Sequence, residues 1–211
     1  AVGLALGGQP DKGLAFDTRA TPFTKIPEIA GGFSKTVPVI DDDGHLVRES
    51  FDIAVYLEEK YPDRPSLFRG EGGRAEARFI ESWQIVSLHP PLLSMIIADI
   101  HSRLDDPDRV YFREAREKFF GRRLEEMAAG RDDRVGAFRE ALAPMRLTFK
   151  RQPFVGGDSP LFADYILFGA FQWARVTSAF PIVAADDPVK AWVERCLDLY
   201  EGLARKMPAA A

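Results

Sequence analysis

The sequence predicts a small α/β domain over residues 1–65 followed by an all-helical bundle domain over residues 74–211. Three observations carry this. Before residue 65, short β-type runs alternate with helical pattern. Between them and the rest of the chain, PDRPSLFRGEGG (62–73) has the proline and glycine content of a linker. After residue 73, every periodic segment repeats its apolar residues at helical spacing.

In chain order, LAFDT (14–18) and TVPVID (36–41) predict strands, the second opened by Pro38, where a lost ladder donor is tolerated. HLVRES (45–50) predicts a further strand, joined to its predecessor through Asp43-Gly44, a hairpin-turn signal. From Ser50, Ile53, Tyr56, Leu57 and Tyr61 form a helical stripe, with Ser50 as its N-cap and Pro62 as its stop. Beyond the linker, Phe79, Ile80, Trp83 and Val86 form one stripe, interrupted at Pro90-Pro91. Asp106-Pro107 predicts a helix start that runs to Gly130. Asp132 or Asp133 would cap the next helix, with Val135, Phe138, Leu142 and Met145 inward. Ser159-Pro160 and Asp187-Pro188 open two more, the last with Trp192, Val193, Cys196 and Tyr200 on one face.

Composition narrows the function. A net charge of −4 argues against nucleic-acid binding, which needs clustered basic charge. No apolar run reaches the ~20 residues of a membrane helix, and SMIIADI (94–100) is short and carries Asp99, so no membrane partner is expected. A single cysteine excludes an internal disulfide and fits a reducing, cytoplasmic setting. His45, His89 and His101 lack metal-ligand spacing, so no metal is expected. Cys196, on an apolar stripe, reads as a buried inert thiol. The mixed charges of 109–134 read as a solvated helix face, and no phosphate-binding glycine loop is present.

The chemistry concentrates in KTVPVIDDDGHLVRESFDIAVYLEEKYP (35–62). Glu49-Ser50 stands where a strand meets a helix. Helix-start N–H groups and the helix dipole favour a carboxylate, and an adjacent glutamate favours an ammonium, so the junction suits a small zwitterion. A cis bond at Val37-Pro38 would turn the Val37 backbone outward to pair with an extended peptide. Taken singly, each feature also has an ordinary reading: a strand-start proline, and a serine cap after a solvated glutamate.

Together these residues resemble the second half of the thioredoxin-like domain of glutathione S-transferases, with Pro38 matching the family's cis-proline and Glu49-Ser50 its acid-serine pair. GGDSPLFADYILFGAF (156–171) resembles the family's helix-opening motif, with Asp164 at the acid position and Leu161 where Ser or Thr is usual. EKYPDRPSLF (59–68) and GRRLEEMAAGRDDR (121–134) look most like the bacterial β-etherase branch. The resemblance covers nearly all of the chain.

It implies a thioredoxin-like N-terminal domain lacking its first strand, with AVGLAL (1–6) as the tail of the first helix. The Ser, Cys or Tyr that stabilises the glutathione thiolate would then lie ahead of Ala1, so no residue of this chain takes the catalytic role. For glutathione as co-substrate, it implies that the Val37 backbone pairs with the cysteinyl unit and Glu49 takes the γ-glutamyl ammonium. Ser50 would take the neighbouring carboxylate, and Lys35 the glycyl carboxylate, with Thr36 as the alternative there. Trp83 and Ser87 would line a pocket for a hydrophobic electrophile, though Trp83 divides between pocket and core. The implied reaction is thiolate attack on that electrophile, with β-aryl ether cleavage as the finer expectation. The alternatives are a non-catalytic glutathione- or protein-binding relative, or an inactive fragment. A homodimer is implied too, with Phe51 as a candidate contact.

Overall fold

The computed structural model describes residues 12–211. Its hairpin follows from the turn. β1 (Val39–Asp42) and β2 (His45–Arg48) run antiparallel, with Val39 opposite Arg48 and Asp42 opposite His45. Asp43 (φ 53°) and Gly44 (φ 88°) both take the positive φ of a two-residue turn whose twist matches the strands. The Gly44 N–H donates to the Asp41 carboxylate at 2.7 Å.

Among the described residues the sheet has these two strands only, and the strand expected at 14–18 is absent. Apolar alternation makes a strand only where a neighbour takes up its N–H and C=O groups. Here Leu14 packs beside the small core while Phe16 is 38% exposed. The AVGLAL segment lies outside the described residues. Residues Phe23–Gly31 form a 3-10 segment with a kink at Ile29 and Ala30. Asp108, from the helical half, accepts the N–H of Phe23 (2.8 Å), the N–H of Thr24 (2.9 Å) and the Thr24 hydroxyl (2.8 Å). The Phe23 ring meets Phe112 at 5.6 Å.

α1 (Ser50–Lys60) buries Phe51, Ile53, Ala54 and Leu57. Phe51 was expected at a subunit contact; it is instead 3% exposed, against Phe68 and Phe162 at 5.7 and 5.5 Å. The reason is spacing: Phe51, Ala54 and Leu57 share a face, and the small Ala54 leaves room for a ring. The segment expected as a linker carries part of this core, since Leu67 and Phe68 are buried. The Glu58 carboxylate accepts the Leu67 N–H at 2.9 Å, the Lys12 ammonium at 2.6 Å and the Ser66 hydroxyl. Burial alone would raise its carboxyl, but these donors outweigh it and hold it below the ordinary range. The Leu67 carbonyl accepts the Phe162 N–H at 2.8 Å, so the second core joins the two halves of the chain.

α2 (Glu71–Trp83), a π turn (Gln84–Leu88) and α3 (His89–Ser102) form one continuous helix of 32 residues. Pro90-Pro91 do not interrupt it. They fall in the first turn after the π turn, where a missing donor is tolerated. By length and composition alone this helix could cross a membrane, which the sequence reading missed; yet Leu88, Leu92, Met95, Ile96, Ile97 and Ile100 lie in the main core. The expected stripe divides: Ile80 and Trp83 pack inward, whereas Phe79 and Val86 are 70% and 75% exposed. The buried face of α2 runs through Ala77 and Ile80, and Phe79 points about 100° or more around the helix from both.

α4 (Asp108–Phe120) stops at Gly121 (φ 65°) rather than at Gly130. α5 (Leu124–Ala128) follows, and Gly130 precedes α6 (Arg131–Ala141), with Asp132 and Asp133 in its first turn instead of at the cap. α7 (Ala143–Phe149), α8 (Phe162–Thr177) and α9 (Pro188–Gly202) complete the bundle. Asp187 caps α9 as expected, accepting the Val189 N–H at 2.9 Å. Phe138, Leu142, Met145, Trp192, Val193 and Cys196 are in the core. Tyr200 is not: the chain leaves helical geometry at Leu199–Glu201, and the ring is partly exposed while its hydroxyl meets that of Tyr165.

Candidate functional site

Val37-Pro38 is a cis bond, the isomer that the family resemblance, rather than the dipeptide alone, implied. Val37 lies two residues ahead of the first ladder pair, so its backbone is outside the hairpin's hydrogen bonding. The loop leading to it is held by hydroxyls. Ser34 is buried; its Oγ donates to the Thr36 carbonyl at 2.8 Å and accepts the Thr36 N–H at 3.1 Å. The Thr36 hydroxyl donates to Glu49 Oε1 at 2.8 Å. The Arg48 guanidinium donates to the Phe33 carbonyl at 3.1 Å and stands over the Phe33 ring at 5.6 Å. The structure thus brings the cis-proline loop against the Glu49 end of β2. Lys35 is exposed on the same loop.

Glu49 takes φ 66° and ψ 129°, a conformation that costs a non-glycine residue on the order of 1–3 kcal/mol and persists where the surroundings impose it. Ser50 was expected as the N-cap. It is instead the first residue of α1, and among the described residues no side chain caps that helix. The first helical bond runs from the Ile53 N–H to the Glu49 carbonyl at 2.9 Å. The N–H groups of Ser50, Phe51 and Asp52 are therefore without intrahelical acceptors, with the Ser50 side chain exposed at their edge. This set can take an anion at the helix start and a cation on the second oxygen of Glu49, which is the pairing a zwitterion needs.

Trp83 and Ser87 sit farther along. Trp83 ends α2 half-buried against the main core, and Ser87 lies in the π turn, a local widening common near functional sites. Two shallow, open hollows lie on the surface of the described residues. One, of about 380 Å³, lies among Asp99, Arg103, Arg131, Thr177 and Phe180; the other, of about 250 Å³, beside Phe51, Glu71, Arg74 and Arg78. Neither is lined by Trp83 or Ser87. Among the described residues no cluster of three His, Cys, Asp or Glu could hold a metal ion. Burial pushes the Cys196 thiol well above its ordinary range, reinforced by Asp164 nearby, so it stays protonated.

The helix-opening motif behaves as a structural device. Asp164 Oδ1 accepts the Val155 N–H (2.8 Å) and the Trp192 indole N–H (3.0 Å). Its Oδ2 accepts the Gly156 N–H (2.9 Å) and the Leu161 N–H (3.1 Å). Leu161 has no side-chain acceptor, so only half of a capping box forms, and the Asp164 N–H bonds the Leu161 carbonyl at 2.9 Å. Burial raises the Asp164 carboxyl, opposed by these four donors. Ser34 was missed by the sequence reading, and Thr36 was left as an alternative for the glycyl carboxylate. The Ser-x-Thr spacing beside a proline was the available signal.

The chain matches the family model for the glutathione S-transferase C-terminal domain over residues 75–199. It is 27% identical over 170 residues to the glutathione S-transferase-like protein ustS of Aspergillus flavus, covering 71% of this chain and 60% of that one. It is 30% identical over 158 residues to glutathione S-transferase omega-1 of Mus musculus, covering 74% and 55%. The chain therefore spans little more than half the length of these curated relatives. Among solved structures, glutathione transferase GSTFuA3 from Phanerochaete chrysosporium superposes with a TM-score of 0.69 at 27% identity, over 94% of this chain and 83% of that one. The glutathione S-transferase CsGST63524 of Ceriporiopsis subvermispora, in complex with glutathione, gives 0.70 at 21% identity, over 91% and 85%, a likeness of fold.

Proposed function

Because this chain belongs to the glutathione S-transferase family, we propose that it binds glutathione at the junction of the cis-proline loop and α1 and serves thiolate attack on a hydrophobic electrophile. The observation that carries the reading is the bond from Thr36 to Glu49, which joins the cis-Pro38 loop to an acid at an uncapped helix start. Glu49 takes the γ-glutamyl ammonium. The Ser50 hydroxyl and the first N–H groups of α1 take the adjacent carboxylate, where the helix dipole favours negative charge. The Val37 backbone pairs with the cysteinyl unit, and Lys35 faces the glycyl carboxylate. These roles concern binding; no catalytic side chain is assigned. β-Aryl ether cleavage is the finer reading, resting on the resemblance of residues 59–68 and 121–134 to that branch. Trp83 and Ser87 are proposed for the electrophile, the π turn at Ser87 supporting it. A homodimer and a cytoplasmic location complete the reading, with Phe51 removed from the interface by its burial.

Titration calorimetry with glutathione tests it. Glu49→Ala and Ser50→Ala should each weaken binding about tenfold or more, since hydrogen bonds to charged groups contribute roughly 1.5–3 kcal/mol. Unchanged affinity in both variants rejects the site. Binding without any acceleration of conjugation to an activated aryl halide favours the non-catalytic alternative.

A further inference from the structure

We propose that Thr36 is a positioning residue for Glu49, fixing the carboxylate so that its free oxygen meets the ammonium of the γ-glutamyl unit. This rests on the glutathione reading above and assigns Thr36 a role other than holding the glycyl carboxylate.

The proton count decides the direction of each bond. A hydroxyl has one proton. The proton of Ser34 goes to the Thr36 carbonyl at 2.8 Å, and its oxygen receives the Thr36 N–H at 3.1 Å. The Thr36 proton goes to Glu49 Oε1 at 2.8 Å, because an ionised carboxylate only accepts. The contact between the two hydroxyl oxygens, at 3.3 Å, is then a packing contact, both protons being spent. Buried Ser34 locks the Thr36 backbone, and the locked Thr36 side chain holds one carboxylate oxygen.

Among the described residues no bond reaches Oε2 of Glu49, which leaves that oxygen for a cation. Glu49 has an exposed side chain with rotamer freedom to lose on binding, and its backbone holds a positive φ of 66°. A side chain rooted there, and tethered at its tip before the ligand arrives, has little left to order when the ammonium binds. Arg48 on the Phe33 carbonyl at 3.1 Å steadies the same loop from the other side. The hydroxyl device is therefore specific for ligands carrying a positive charge at the γ-glutamyl end.

The test compares two ligands and three chains by titration calorimetry: glutathione and its analogue lacking the γ-glutamyl amino group, with the wild-type chain, Thr36→Val and Thr36→Ser. Thr36→Val should weaken glutathione binding about threefold to tenfold, the size of one lost hydrogen bond. It should leave the amine-free analogue within about a factor of two of wild type, and Thr36→Ser should restore glutathione affinity by returning the hydroxyl. Thr36→Ala supplies the same comparison if valine does not pack. Equal losses on both ligands, or no loss on glutathione, overturn the role of Thr36 while leaving the glutathione site standing. A wild-type chain that binds neither ligand overturns the site reading itself, and this one with it.

Discussion

Helices α1 and α8 begin in opposite ways, although each has an acid at its start. At α8 the carboxylate of Asp164 is fully buried and all four of its acceptor positions are filled, three by backbone N–H groups and one by the Trp192 indole. At α1 the acid is exposed and its backbone has positive φ; among the described residues one hydroxyl holds it and no side chain caps the helix. A third start falls between them. The 3-10 segment at Phe23 is capped by Asp108, a largely buried carboxylate supplied by another helix. A helix start sealed by its own carboxylate stabilises the fold, whereas one left open with a strained acid beside it leaves its first N–H groups without a side-chain acceptor.

The sharpest way to break this contrast is at the sealed end. Asp164→Ala leaves four donors without an acceptor in a dry site and should cost about 3 kcal/mol or more, read from urea unfolding midpoints. A loss below about 1 kcal/mol would show that α8 does not depend on its seal.

Asp108 should be next in size. Asp108→Ala removes a cap and should cost about 1 kcal/mol, with faster amide exchange at Phe23 and Thr24. Its pH dependence has a definite sign. Burial alone would raise the carboxyl, but the Thr24 N–H and hydroxyl and the Phe23 N–H hold it below the ordinary range. A lowered carboxyl contributes stability that is complete above its unfolded value, near 4, and is lost as pH falls through the folded value. Exchange at residues 23–24 should therefore be flat from pH 7 to about 5, after correction for intrinsic rates, and rise only below about pH 4. A rise between pH 7 and 5 would contradict the assignment.

The smallest effect separates function from stability at the open end. Glu49→Gly relieves a positive φ and should change stability by less than about 1 kcal/mol in either direction, since relaxed strain opposes the added chain entropy. The same change should abolish measurable discrimination between glutathione and its amine-free analogue. A loss of several kcal/mol would mean that Glu49 is structural, and the contrast with Asp164 would fail.

Features set by neighbours in the chain were legible in the sequence. Asp43-Gly44 specifies the hairpin because few dipeptides accept positive φ twice, and Asp187-Pro188 specifies a helix start because cap and first-turn proline are one local unit. Glu49, Ser50 and the cis-proline loop were legible as a set for the same reason: they lie within one turn-strand-helix segment. The run to Gly130 was misread because Gly121, nine residues earlier, already ends α4, and which glycine breaks a helix depends on which side chains find a core.

Other features came only from tertiary structure. Leu67 and Phe68 sit in a segment with the composition of a linker, yet α8 buries them. Leu14 and Phe16 alternate as a strand would, yet among the described residues no ladder forms there. The bond from Thr36 to Glu49 spans 13 positions and exists because the hairpin returns β2 to the cis-proline loop. Local chemistry is written in adjacent residues, through φ preference and capping. Burial and the partner of a hydroxyl depend on which distant segment arrives beside them, and that is decided by packing.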